Sequence, residues 1–238
     1  MHMTLNLHLL FDLLAVTCAV LAGAVVYRWK FQDALEKTAA SVGNGYFMAL
    51  AAGSVIGSFG LGTLNLYLSN ELIVGRSILG TLAGAIVAVE LYKIFKNTKG
   101  STGYIYAIPF CVLVAVGRWG CFLSGLEDHT YGTVTTLPWG VNFGDGQLRH
   151  PVQLYESFSM IFLAGAILLT LKFRPDFVIR YGFYVCAGFY AIQRFMWEFF
   201  KPYGAVIGSL NLFHIVCLLL IGYSVFMCIK VKHGYGTA

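Results

Sequence analysis

Seven stretches of about twenty apolar residues, separated by short connections, run through this sequence, and that length is what a helix needs to cross the hydrocarbon core of a bilayer. They are read at 5–27, 45–68, 75–95, 103–124, 151–172, 178–200 and 207–229. A closed barrel is the only other spanning solution, and the alternating ten-residue strands it requires are missing from the pattern. Only 11% of the residues are charged and 58% are hydrophobic, against about 25% charged in an ordinary soluble domain. A soluble fold could not cover itself with so few polar groups. The expected fold class is therefore all-α: a polytopic membrane protein with a seven-transmembrane-helix bundle, one domain over 1–238. The first run has no Lys or Arg ahead of it and exceeds a signal peptide's apolar core, so it reads as a first transmembrane helix.

Lys and Arg give the orientation. Arg28, Lys30 and Lys37 fall in the first connection, Lys93, Lys96 and Lys99 in the third, Lys172, Arg174 and Arg180 in the fifth, and Lys230 and Lys232 in the tail. All eleven lie on one side, the expected cytoplasmic side, which puts the N-terminus outside and the C-terminus inside. The 125–150 connection then lies outside, where Pro138 to Gly146 reads as an extended segment entering a Gly-Asp-Gly turn, a small extracytoplasmic cap. The formal charge of +5 is scattered over short connections and makes no stripe for nucleic acid. Gly53 and Gly57, Ser54 and Ser58, and Gly80 and Gly84 recur at helical spacing, a pattern for close helix packing. The six cysteines sit in apolar stretches and read as small hydrophobes. Neither a His-Glu-x-x-His helix nor paired Cys-x-x-Cys is present, so no metal or cofactor is expected.

Five basic residues defy the sorting: Arg76, Arg118, Arg149, Arg194 and Lys201. Arginine grips phosphate in a fork. Arg118, within Gly117-Arg118-Trp119-Gly120-Cys121, costs about 2.5–3.5 kcal/mol in a membrane helix and so calls for an anionic partner. It reads as a lipid-phosphate clamp or as an arginine snorkelling to the outer interface; Gly117 and Gly120 let a ligand or another backbone come close. Arg194 and Glu198 share a helix face, either as a self-neutral pair or as part of a site. Arg149-His150-Pro151-Val152-Gln153-Leu154-Tyr155-Glu156 opens the fifth span, with Pro151 in the first turn; its polar groups are costly in lipid and should face the bundle. Glu127-Asp128-His129 could supply a base or be a solvated loop. Ser124 is a weak nucleophile candidate, because Phe122 stands where a serine motif needs glycine.

Together these segments resemble the prolipoprotein diacylglyceryl transferase family. Gly117-Arg118-Trp119-Gly120-Cys121-Phe122 is similar to its Gly-Arg-x-Gly-Asn-Phe signature, residues 149–156 to its Arg-His-Pro-x-Gln-Leu-Tyr-Glu, and Arg194 to Phe200 to its Arg-x-x-x-Glu-Phe-Phe element. Cys121 stands where the family has asparagine, Leu79 where it has histidine, and His214 where it often has glutamine. The resemblance implies transfer of a diacylglyceryl group from phosphatidylglycerol to the lipobox cysteine of a prolipoprotein, in the bacterial cytoplasmic (inner) membrane, by a monomer needing no cofactor. It implies that Arg118 and Arg194 hold the phosphate and Glu198 orients Arg194 or the acceptor. Glu156, Gln153 and Tyr155 would shape the pocket beside Gly117, Gly120, Cys121 and Arg149. With Leu79 in the histidine position, His150, Glu127 and His129 compete as the base. Two other readings remain: a related transferase with a different acceptor, and an inactive protein that binds or transports anionic lipid. A channel is disfavoured, because the polar residues cluster outside instead of lining a path.

Overall fold

A computed structural model describes residues 2–234; the end positions of the expected 1–238 unit lie outside the described residues. The helices are α1 (His2–Val26), α2 (Gln32–Val42), α3 (Asn44–Leu68), α4 (Ile78–Lys96), α5 (Ala107–Ser124), α6 (Val152–Phe173), α7 (Pro175–Glu198) and α8 (Leu212–Lys232). A π-helical turn, Tyr27–Phe31, joins α1 to α2. Among the described residues six helical segments are long and apolar enough to cross a membrane, the first running from Leu7 to Val42 through that π turn. The chain is an all-α polytopic integral membrane protein. The exception among the expected spans is α7, which is long enough but carries Asp176, Arg180, Gln193, Arg194 and Glu198 in its 24 residues.

Local chemistry sets the helix ends. Expected from residue 75, α4 begins at Ile78, because Ser77 is the N-cap and its Oγ accepts from Gly80 N at 3.1 Å; such a cap contributes about 1 kcal/mol. Expected from residue 207, α8 begins at Leu212 behind Asn211, whose side chain accepts from His214 N while the His214 ring accepts from Asn211 N. Pro175 opens α7, where its missing N–H is harmless. Lys93, assigned to a connection by the charge pattern, lies inside α4 instead: it is buried and paired with Glu90 at 3.0 Å, and the Tyr223 hydroxyl donates to Glu90 at 2.9 Å.

The sequence neighbours α3–α4, α5–α6, α6–α7 and α7–α8 pack on one another, whereas α1 packs on α5. The α3–α4 seam is backbone against backbone: a Cβ on Gly57 would stand 2.2 Å from Gly80 O, and one on Gly53 would stand 2.4 Å from Gly84 O. Close packing is thus the use of those small residues. The main core runs through α4 to α8 and includes Leu82, Cys111, Val114, Met160, Tyr190 and Cys217. Leu79 belongs to it and is fully buried. No cysteine is in a disulfide; Cys111 and Cys186 only touch, sulfur to sulfur, at 3.7 Å. Between the α3–α4 hairpin and the rest lies a crevice of about 280 Å³, lined by Leu50, Leu82, Ile86, Phe110, Leu113 and Phe183 among others.

The 125–150 connection contains a 3-10 turn, Gly125–Asp128, and two short antiparallel strands, β1 (Val141–Asn142) and β2 (Leu148–Arg149), paired Val141 to Arg149 and Asn142 to Leu148. Gly144 and Gly146 take positive φ (104° and 75°) in the turn between them, a conformation open to glycine. Asn142 Oδ1 accepts from both of their N–H groups. Thr133 N donates to Phe200 O at 2.7 Å, and this hydrogen bond ties the segment to the end of α7.

Candidate active site

Antiparallel packing brings the C-terminal ends of α5 and α7 beside the N-terminal ends of α6 and α8, and the sequence has put its costly charges at those ends. Glu156, one turn into α6, is fully buried at the centre. Its Oε2 meets Arg118 Nε at 2.6 Å and its Oε1 meets Arg194 Nη1 at 2.7 Å. Lys201 Nζ donates to the same Oε1. Arg194 reaches one turn on to Glu198, Nη2 to Oε2 at 3.0 Å, and Asn211 Nδ2 donates to Glu198 Oε1 at 3.0 Å. The Arg194 guanidinium also lies 5.5 Å from the centre of the Phe213 ring.

Three cations face two carboxylates, so this buried group carries one uncompensated positive charge. Charges removed from water demand partners, and an anion is the missing one. Lys201 shows the strain: burial, then repulsion from Arg194, pushes its ammonium down to about 8 despite the pull of Glu156. Around the charges stand buried polar atoms with no hydrogen-bond partner among the described residues: both amide atoms of Gln153 and of Gln193, the Trp197 Nε1 and the His214 Nε2. Buried polar groups are normally satisfied. A set of orphans beside a surplus charge is what a binding site looks like without its ligand.

The other residues singled out in the sequence fall in three places. Gln153 lies in the buried group. His150 and Tyr155 sit at its rim: His150 packs against Phe200 with ring centres 4.8 Å apart and planes tilted by 60°, its Nδ1 lies 3.3 Å from the Tyr155 hydroxyl, and that hydroxyl accepts from Trp139 Nε1 at 2.9 Å. Arg149 lies apart from the buried carboxylates. It pairs with Asp145 at 2.7 Å and covers the Tyr131 ring, and this arginine holds the Asp145 carboxyl below the usual carboxylate range.

At Gly120 it is α1 that comes close, since a Cβ there would stand 2.7 Å from Phe11 Cβ; Gly117 faces Ala15 at ordinary contact distance. Ser124 Oγ donates to Gly120 O at 2.9 Å within its own helix. Glu127 is exposed on the 3-10 turn and His129 follows it with a left-handed φ of 55°. Cys121 stands 3.8 Å from Arg118 Nη1 and 3.9 Å from His8 Nε2.

Reasoning from the sequence passed over His8, Asp12 and the Asn211 side chain. His8 and Asp12 are four residues apart, on one face of an otherwise apolar helix, and a pair of polar side chains there is itself a signal. Lys201, in the sequence only one of five basic residues outside the charge pattern, is buried against Glu156. Its burial depends on how the chain after α7 folds back, which no local pattern states.

Comparison with known proteins agrees with the geometry. The family model for prolipoprotein diacylglyceryl transferases matches residues 13–230. A phosphatidylglycerol–prolipoprotein diacylglyceryl transferase of Campylobacter jejuni is 30% identical over 177 residues, which cover 71% of this chain and 64% of the relative. One of Wolbachia pipientis is 31% identical over 157 residues, 61% of this chain and 59% of the relative. One of Coxiella burnetii is 35% identical over 136 residues, 53% and 48%. The aligned stretch thus spans less than two thirds of each relative's own length. No solved structure matches the chain. With its buried arginines in the family's motifs and the family match running over nearly its whole length, the chain belongs to the prolipoprotein diacylglyceryl transferase family.

Proposed function

We propose that this protein transfers the diacylglyceryl group of phosphatidylglycerol to the lipobox cysteine of a prolipoprotein, forming a thioether and releasing glycerol phosphate. The observation that carries the reading is the uncompensated positive charge of Arg118, Arg194 and Lys201 around Glu156 and Glu198. A phosphodiester is an anion with a glycerol arm, and charge builds on its phosphate as the carbon–oxygen bond breaks. Preorganised guanidinium groups in a site shielded from water are suited to stabilise that charge.

In this reading Arg118 and Arg194 hold the phosphate oxygens. Glu156 and Glu198 keep the two forks aimed when the site is empty, and Asn211 steadies Glu198. Gln153 supplies the amide that meets the glycerol arm, Tyr155 shapes the rim, Arg149 orders the outer cap through Asp145, and Gly117, Gly120 and Cys121 form the side of the site towards α1. The acyl chains occupy the apolar crevice beside the α3–α4 hairpin. The acceptor thiol must lose its proton. His150 is the base, its Nδ1 beside the Tyr155 hydroxyl, with Glu127 and His129 nearby on the connection that carries the acceptor. Seven spans, counting α7, with an outer cap over 125–150 suit this arrangement, as does a monomer in the bacterial inner membrane with its N-terminus outside and its C-terminus in the cytoplasm.

The test is release of glycerol phosphate by detergent-purified protein, with and without a lipobox peptide. Peptide-dependent release that vanishes when the peptide cysteine becomes alanine supports the transferase. A second reading rests on Leu79, a fully buried apolar residue at the position where the resemblance implies histidine: the site keeps its lipid and uses another acceptor, or none. Phosphatidylglycerol bound in an Arg118-dependent way, with no release, would select it and overturn the first.

A further inference from the structure

A second polar cluster lies where the N-terminal part of α1 meets the C-terminal end of α5, and part of it, His8 and Asp12, precedes residue 13, where the family match begins. His8 Nδ1 lies 3.1 Å from Asp12 Oδ2. An ionised carboxylate only accepts, so Nδ1 carries the ring proton. Nε2 faces a second carboxylate, Asp128 Oδ1, at 3.0 Å and lies 3.9 Å from Cys121 Sγ, so by the same argument it carries either a second proton or a metal ion in its place. The other Asp128 oxygen is occupied by the Thr130 hydroxyl. Three electron-pair donors, one each from His8, Cys121 and Asp128, thus lie within 4.8 Å of one another.

Something positive must sit among them. A proton on Nε2 joins the imidazole to one neighbour; a metal ion joins all three. The spacing is close to what the second needs. With metal–ligand lengths of about 2.0–2.3 Å in a tetrahedral site, neighbouring donors stand roughly 3.3–3.7 Å apart, so an ion that reaches both needs His8 Nε2 to draw back a few tenths of an ångström from Asp128 Oδ1, now at 3.0 Å, and towards Cys121 Sγ, now at 3.9 Å. Behind the ring, Asp12 supplies the carboxylate that commonly fixes a ligating histidine, and Arg76 lies 3.6 Å from Asp12. Beside the sulfur stands the Arg118 guanidinium, Nη1 to Sγ at 3.8 Å. The side chains of His8 and Asp128 are partly exposed, at 22% and 12%, so an ion has a way in.

We propose that His8 Nε2, Cys121 Sγ and Asp128 Oδ1 form a binding site for a zinc-class divalent cation, with Asp12 positioning His8. The nitrogen, sulfur and oxygen set suits a borderline-soft ion over magnesium or calcium. Binding displaces the His8 Nε2 proton and the Cys121 thiol proton to solvent, and three protein ligands leave a further position for water.

The site is tested with the full-length, detergent-purified protein, stripped by chelator and titrated with cobalt(II) as an optical probe. The expected result is one equivalent bound, with visible bands of a four-coordinate ion and a near-ultraviolet thiolate-to-cobalt band, all displaced by zinc. Cys121→Ser should remove the thiolate band. His8→Ala and Asp128→Asn should abolish stoichiometric binding, and Asp12→Asn should weaken it by about 10–100-fold. Absence of a stoichiometric cobalt spectrum would mean that a proton bridges the cluster, and the proposal would be overturned; so would a thiolate band that survives Cys121→Ser. If His8→Ala does not fold, Cys121→Ser and Asp12→Asn still decide the question. The readout is the metal's own spectrum, so it stands or falls separately from the transferase reading.

Discussion

Two charge clusters lie buried among these helices, and they differ in kind. At the cytoplasmic end of the proposed orientation, Lys93 pairs with Glu90, and Tyr223 completes the carboxylate. One cation meets one anion, and the group closes on itself. At the opposite end, Glu156 is shared by Arg118, Arg194 and Lys201, Glu198 holds Arg194, and orphaned amides stand alongside. A balanced pair is explained by the fold that contains it. A surplus of charge with unsatisfied neighbours is not, and it points outward to a ligand. The contrast is a better guide to function than burial alone, since both clusters hold nearly inaccessible side chains.

Breaking the shared carboxylate should have the largest effect. Glu156→Gln leaves three buried cations with one carboxylate and should cost about 3–5 kcal/mol of stability, as loss of one partner in a buried pair does; thermal unfolding in detergent measures it, and glycerol phosphate release should be lost. Next, Arg118→Ala should lower the rate of release by about 10²–10³-fold, the usual effect of removing one donor from developing charge, in protein whose folded yield is retained. Full activity would take Arg118 out of the clamp. Replacing the balanced pair as a unit, Glu90→Leu with Lys93→Met, should leave stability unchanged or raise it and leave turnover intact. A loss of activity there would erase the distinction between the two clusters.

A subtler test uses pH. The Lys201 ammonium sits at about 8 in the folded protein against an ordinary 10.5. Between these values the unfolded chain binds more protons, so this residue makes stability rise as pH rises from about 8 towards 10.5. Its help to a bound anion runs the other way and fades above about 8. Lys201→Arg, which stays charged, should flatten the alkaline decline in phosphatidylglycerol binding; an unchanged profile would remove Lys201 from the anion site.

How much of this was legible in the sequence follows from what each residue had to contend with. Long apolar runs announce membrane helices because lipid tolerates little else, and Arg118, Arg194, Glu198 and Glu156 stood out because charge inside such runs is costly. α7, read as a span at 178–200 like the others, falls outside the six apolar helices, since the residues that build the site, Gln193, Arg194 and Glu198, dilute its apolar character. Two things could not be seen. The central role of Glu156 depends on three helix ends converging, and the burial of Lys201 depends on the chain after α7 being held by the Thr133–Phe200 hydrogen bond. His8 carries no charge that sequence sorting counts, so its meeting with Cys121 and Asp128 across more than a hundred residues had no trace.

The glycine seam between α3 and α4 has a mechanical consequence. With backbone seated on backbone at Gly57–Gly80 and Gly53–Gly84, the two helices cannot slide or splay separately and form one stiff leaf. Polar bonds tie that leaf to the rest at both margins, Ser69 to Gly204 and Arg76 to Asp12 at one, Glu90 to Tyr223 and Tyr46 to Thr102 at the other. Between them it faces the crevice mainly across apolar side chains such as Leu50, Leu82 and Ile86, with Ser54 and Thr81 among them. Any change in the width of the crevice therefore moves α3 and α4 together, as one body against the rest of the bundle, and leaves the glycine seam closed.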